Sequence, residues 1–104
     1  MDEATVLEQL TKLHQEIESD AGKDPAAVKD EVFPLEELAG FDSVLIPNVI
    51  RGLAKAVGIT LEKGARLRNP YVDSSKKKLR LRAVAKRFCE LYKEKTKEKL
   101  NDHE

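Results

Sequence analysis

Residues 41–59 read FDSVLIPNVIRGLAKAVGI, and this stretch decides the fold. Val49, Leu53 and Val57 recur at four-residue spacing with Ile46 and Ile50 beside them, so a helix here carries one apolar face. The pattern predicts a helix over 43–57. Asp42 is suited to its N-cap, because its carboxylate can accept from backbone N–H groups of the first turn. Phe41 before the cap and Ile46 inside the helix match a hydrophobic staple. Gly58 follows the last apolar position as a C′ glycine. Pro47 is the discordant residue, since an interior proline removes a helix hydrogen bond and costs roughly 3 kcal/mol. A kink or a delayed helix start would reduce that cost.

Working outward, residues 4–18 carry Val6, Leu10, Leu13 and Ile17 on one helical face, widened by Leu7, and Gly22 and Pro25 then supply stop and turn chemistry. His14 falls beside this face and reads as a surface or boundary residue. Residues 26–41 form a long connection with a turn of helix expected around Leu35–Leu38. Val28, Val32, Phe33, Leu35 and Leu38 are spaced to lie along a core surface. Residues 60–75 contain Gly64, Pro70 and paired serines, which implies a loop with one short helix inside 60–74. Leu81, Val84, Phe88 and Leu91, joined by Ala85 and Tyr92, predict a final helix over 79–95. The charged residues 96–104 read as a frayed tail. The expected fold is a single all-α domain over residues 1–104.

The chain has 104 residues, of which 37% are charged and only 5% aromatic, a composition that suits a small helical domain. The net charge of zero conceals a split. Residues 1–42 hold twelve acidic side chains against three lysines, a net of −9, and residues 43–104 hold sixteen basic against seven acidic, a net of +9. The simplest reading is that the two halves fold against each other and partly neutralise. The single cysteine, Cys89, precludes an intrachain disulfide and suits a reducing, cytoplasmic setting. No apolar run reaches bilayer length, and the acidic start MDEATV is unlike a signal peptide.

Catalytic constellations are not evident, so the chain does not read as an enzyme. His14 and His103 stand near opposite ends, no cysteine or histidine cluster has zinc spacing, and no glycine-rich phosphate loop is present. Cys89 has no evident base and reads as a passive thiol.

One segment stands apart. In Gly40-Phe41-Asp42-Ser43-Val44 a serine follows an acidic cap at a predicted helix start. Here the chain resembles the acyl carrier protein family, which carries a D-S-L/V motif at the start of its second helix. The likeness runs from PLEELAGF through Asp42–Ile59, with Val44, Val49, Leu53 and Val57 at apolar positions and Gly58-Ile59 as the helix-ending pair. It implies a four-helix bundle of acyl-carrier type, with a long first loop and a short third helix. It also implies that Ser43 carries a 4′-phosphopantetheine arm, derived from coenzyme A, in a phosphodiester. Free N–H groups and the dipole at a helix start would favour a phosphate there. Asp42 would cap the helix and present the serine. The implied partners are a phosphopantetheinyl transferase and acyl-activating or acyl-transferring enzymes, serving a monomeric carrier of acyl or aminoacyl groups, as in lipid or fatty acid biosynthesis.

This sequence departs from the family in charge. The 43–57 helix has Arg51 and Lys55 where acidic residues are common, and the following segment adds Arg66 and Arg68. Val44, Arg51, Lys55, Arg66 and Arg68 are the residues expected to select partners, and the basic ones call for an acidic partner face. Two alternatives stand beside the carrier: a nucleic-acid or anionic-surface module using KKKLRLRAVAKR, in which seven of twelve residues are basic, and an unmodified helical interaction domain. No base-stacking aromatic set accompanies the basic run, which makes nucleic acid the weaker partner.

Overall fold

The structure, a computed structural model, describes residues 2–61 and 67–101, with side chains as far as Tyr92. Among the described residues there are four α-helices: α1 (Glu3–Asp20), α2 (Pro34–Glu37), α3 (Ile46–Val57) and α4 (Leu81–Asn101), with 3₁₀ turns at Pro25–Ala27 and Ser43–Leu45. No strand occurs among the described residues; Val72 and Lys78 form one isolated antiparallel bridge. None of the described helices is long and apolar enough to cross a membrane.

Local chemistry sets the helix ends. Asp2 caps α1, its Oδ1 accepting the Thr5 N–H at 2.7 Å. At its C-terminus, Gly22 takes a φ of 76°, the Lys23 N–H reaches Glu18 O at 2.8 Å, and the Gly22 N–H reaches Ser19 O at 3.0 Å. Helix α3 ends in the same way. Gly58 has φ 81°, Ile59 N–H donates to Ala54 O at 2.8 Å, and Gly58 N–H donates to Lys55 O at 3.4 Å. Both are Schellman ends, in which a left-handed residue turns the chain so that late carbonyls find donors.

Helix α1 packs on α3 and α4. The core between them holds Val6 and Leu10 of α1, Val49, Ile50, Leu53 and Ala54 of α3, and Leu81, Val84, Ala85, Phe88 and Tyr92 of α4. Val28, Leu38 and Phe41 enter from the first connection and Tyr71 from the second. The stripes expected on α3 and α4 are thus buried, except at Val57 and Leu91, which are half-buried. On α1 the buried line is Val6, Leu10, His14 and Glu18, while Leu7, Leu13 and Ile17 are half-buried. His14 is therefore a core residue, because the rings of Phe41 and Tyr71 close over it.

Three boundaries differ from expectation. The helix at 43–57 opens with a 3₁₀ turn and becomes α-helical at Ile46, which puts Pro47 in the first turn, where its missing N–H costs nothing. Helix α4 starts at Leu81 and not at 79, because Leu79 N–H donates to Tyr71 O at 2.9 Å. The first donors of α4 are instead met from the first connection: Leu81 N–H by Val32 O at 2.7 Å and Arg82 N–H by Asp30 O at 2.9 Å. The helix also runs beyond 95, through most of the expected frayed tail, over lysines and glutamates that are good helix formers. In the segment expected to hold a third helix, residues 60–61 and 67–74 are non-helical; residues 62–66 lie outside the described residues.

The charge split resolves where these two regions meet. Lys78 pairs with Glu36 at 3.5 Å, Arg80 with Glu31 at 3.6 Å, and Arg82 with Glu31 at 3.2 Å and Asp30 at 3.7 Å. Arg80 also stacks over the Phe33 ring at 4.7 Å. All of these pairs are half-exposed, so each contributes less than about 1 kcal/mol. Their consequence is positional, in tying the acidic first connection across the start of α4.

Candidate functional site

Ser43 is exposed and opens the 3₁₀ turn that leads into α3. Asp42 before it is extended, with φ −145° and ψ 177°, and its Oδ1 accepts the Val44 N–H at 2.9 Å. The expected N-cap is present, one turn ahead of the α-helix proper. Val44 is 79% exposed, an apolar side chain standing in solvent next to Ser43. Phe41 and Ile46, the staple pair, are both buried.

Three donors of this turn are already engaged. Val44 N–H goes to the Asp42 carboxylate, Leu45 N–H to Asp42 O at 3.1 Å and Ile46 N–H to Ser43 O, while Pro47 has none. A phosphate on Ser43 would therefore meet the helix dipole and fewer free amides than an ordinary helix start offers. Covalent attachment needs no pocket, and an exposed hydroxyl at a fixed turn fits a phosphodiester arm.

What fixes the turn lies beneath it. Gly40 N–H donates to Glu18 Oε1 at 2.9 Å. A Cβ at Gly40 would lie 2.7 Å from Glu18 Oε2 and 2.9 Å from Ala21 Cβ, so only glycine lets the chain pass this close to α1. The Phe41 ring packs edge-on against His14 at 4.5 Å and lies tilted against Tyr71 at 5.0 Å. His14 Nε2 and Tyr71 Oη share a hydrogen bond of 2.6 Å. Burial lowers the His14 pKa from 6.5 to about 4 and raises that of Tyr71 well above its usual value. His14 Nδ1 and Glu18 Oε2 are buried without a partner among the described residues.

Sequence reasoning singled out Asp42, Ser43 and Val44 but did not foresee the packing of Gly40, Glu18, His14 and Tyr71 beneath them. The available signal was the continuation of Val6 and Leu10 at four-residue steps into His14 and Glu18. Of the proposed recognition residues, Arg51 and Lys55 are exposed on α3, and Arg68 is exposed on the second connection. Arg66 lies outside the described residues. Cys89 is half-buried, and burial together with Glu3 raises its thiol pKa, which favours the protonated form. No group of three or more potential metal ligands occurs among the described residues.

Comparison with known proteins returned no matching family model, no matching curated protein and no matching solved structure.

Proposed function

We propose that this protein is a phosphopantetheine-dependent carrier, with a four-helix bundle of acyl-carrier type, modified at Ser43. One observation carries the reading: an exposed serine stands at the first position of a helical turn whose approach, Gly40-Phe41-Asp42, is held by buried groups of α1. The D-S-V motif and the frame from Leu35 to Ile59 resemble the acyl carrier proteins. Ser43 offers its hydroxyl for the phosphodiester, and Asp42 holds the turn in which that hydroxyl is presented. When attached, the arm supplies a thiol that carries an acyl or aminoacyl group as a thioester. Val44 gives partner enzymes an apolar contact, while Arg51, Lys55 and Arg68 favour partners with an acidic face.

A nucleic-acid module is the weaker alternative, because Lys78, Arg80 and Arg82 of the basic run are paired within the chain. The deciding experiment is intact-mass spectrometry after incubation with coenzyme A and a promiscuous phosphopantetheinyl transferase. The wild type should gain one arm, and a folded Ser43→Ala variant none. A folded wild type that stays unmodified beside a modified control carrier would favour an interaction domain. Modification of Ser43→Ala would move the site.

A further inference from the structure

Between the middle of α4 and the second connection lies an open groove of about 620 Å³, bordered by Arg68, Lys76 and Arg87. Its walls are held in place. Tyr92 Oη accepts the Arg68 N–H at 3.0 Å and donates to Arg68 O at 2.9 Å, tying that backbone to α4. Asn69 Oδ1 accepts the Tyr71 N–H at 2.8 Å, which leaves the amide nitrogen of this groove residue as a donor. Asp73 Oδ1 accepts from the Ser75 and Lys77 N–H groups at 2.8 and 3.0 Å, and Lys76 N–H donates to Asp73 O at 2.9 Å. This ring of bonds holds Lys76 at φ 65°, a left-handed conformation that a lysine rarely adopts. Such backbone persists only where its surroundings impose it, and it gathers at ligand-binding segments.

Arg87 supplies the second observation. Its Nε is buried and meets no acceptor among the described residues. The carboxylate of Glu90 approaches only Nη1, at 4.0 Å, a stretched and half-exposed contact. With its carboxylate contact this long, Arg87 keeps Nη donors available to an oxyanion in the groove.

We propose that this groove binds the phosphoryl group of a phosphorylated small molecule. Arg87 offers the fork geometry that matches phosphate oxygens, Arg68 and Lys76 add charge, and Asn69 and Ser74 add neutral donors. Asp73 is committed to its own turn, and Glu90 is the competing anion that the ligand displaces. The volume exceeds what one phosphate fills and lies in the range of small-molecule sites. A nucleic acid would need a continuous cationic stripe, whereas Lys78, Arg80 and Arg82 beyond the groove are spent on internal pairs. The site is independent of the reading of Ser43, since neither Ser43 nor Asp42 borders it.

Titration with pyrophosphate, followed by ¹⁵N-resolved NMR, tests this on the intact protein. The Arg87 Nε–H resonance and the amides of Asn69, Ser74 and Lys76 should shift together and saturably, while those of α3 stay still. Inorganic phosphate should move the same signals with weaker affinity, and succinate, a dicarboxylate of similar span, should move them least. Arg87→Gln should weaken pyrophosphate binding about ten-fold or more, the loss of one charge-assisted hydrogen bond. Glu90→Gln should tighten it, a gain that no unfolding artefact can imitate. The proposal is overturned if Arg87 Nε–H does not respond to pyrophosphate, or if Arg87→Gln binds as well as the wild type. It is also overturned if succinate, an acidic peptide or an oligonucleotide binds there more tightly than pyrophosphate.

Discussion

Val6 and Leu10 in the first half of α1, and His14 and Glu18 in the second, lie on one line and are equally withdrawn from solvent, yet they hold different things. The first pair belongs to the apolar core between α1, α3 and α4. Its contribution is non-directional and scales with area, about 1.5–3 kcal/mol for a fully buried leucine. The second pair meets loops: Glu18 takes the Gly40 N–H, and His14 meets the Phe41 ring and the Tyr71 hydroxyl. Hydrogen bonds and ring edges are directional, so this half of the helix determines where residues 40–42 stand, and with them Ser43. One helix thus divides stability from placement along its own length.

The sharpest way to break that division is Leu10→Ala. A cavity at a fully buried leucine should cost about 2–5 kcal/mol, read by urea unfolding. On the proposed reading, attachment of the phosphopantetheine arm to Ser43 (its loading) should not change in the protein that remains folded. A variant whose folded fraction loads poorly would show that the apolar half also positions the site.

The boundary between the halves marks how far the sequence could be read. Helix α3 was legible because its signals are local: Asp42 for the cap, Phe41 and Ile46 for the staple, Gly58 for the stop. Pro47 was discordant with a helix from residue 43, and the delayed start that would accommodate it is what the 3₁₀ turn supplies, with the α-helix beginning at Ile46. His14 was misjudged because its partner, Tyr71, is 57 residues away and no periodicity foretells that contact. The same distance problem displaced the start of α4, since Leu79 is held by Tyr71 O across the second connection. Charge neutralisation was legible as a sum over two halves, but the particular clasp of Asp30 and Glu31 with Arg80 and Arg82 was not.

Acid should separate the halves next. The folded state holds His14 neutral, with a pKa of about 4 against 6.5 for a free side chain, so the unfolded chain binds the extra proton between these values. Stability conferred by neutral His14 is complete above 6.5 and is lost as the pH falls toward about 4, up to about 3 kcal/mol in all. Between pH 6.5 and 5, above the titration of ordinary carboxylates, the fall should belong to His14. Thermal unfolding across that window should show it, and His14→Leu should flatten it while leaving the Tyr71 hydroxyl without its partner. An equal slope in His14→Leu would remove His14 from the account.

Gly40→Ala strikes the polar half directly. The new methyl group would meet Glu18 Oε2 at 2.7 Å and Ala21 Cβ at 2.9 Å, so either the loop or the carboxylate must move. Overpacking of this kind should cost roughly 1–3 kcal/mol. Here the folded fraction should also load more slowly, because the Gly40 N–H loses its place on Glu18. Loading at the wild-type rate in folded Gly40→Ala would mean that the Glu18 clamp stabilises the loop without positioning Ser43.

Asp42→Ala should be the smallest change and the most discriminating. It removes the acceptor of the Val44 N–H, a cap worth about 1 kcal/mol. Helix α3 should survive, because it starts at Ile46 with Pro47 in its first turn and ends on the Gly58 turn, none of which uses the Asp42 side chain. Amide exchange should therefore quicken at Val44 while the α3 amides keep their protection. Asp42→Asn separates the cap from the charge, since its side-chain oxygen can still accept the Val44 N–H. If Asn restores both stability and loading, the role of Asp42 is to hold the turn. If Asn restores stability alone, the carboxylate is read by the loading enzyme, and placement of Ser43 is shared between the buried clamp on α1 and a charge at the surface.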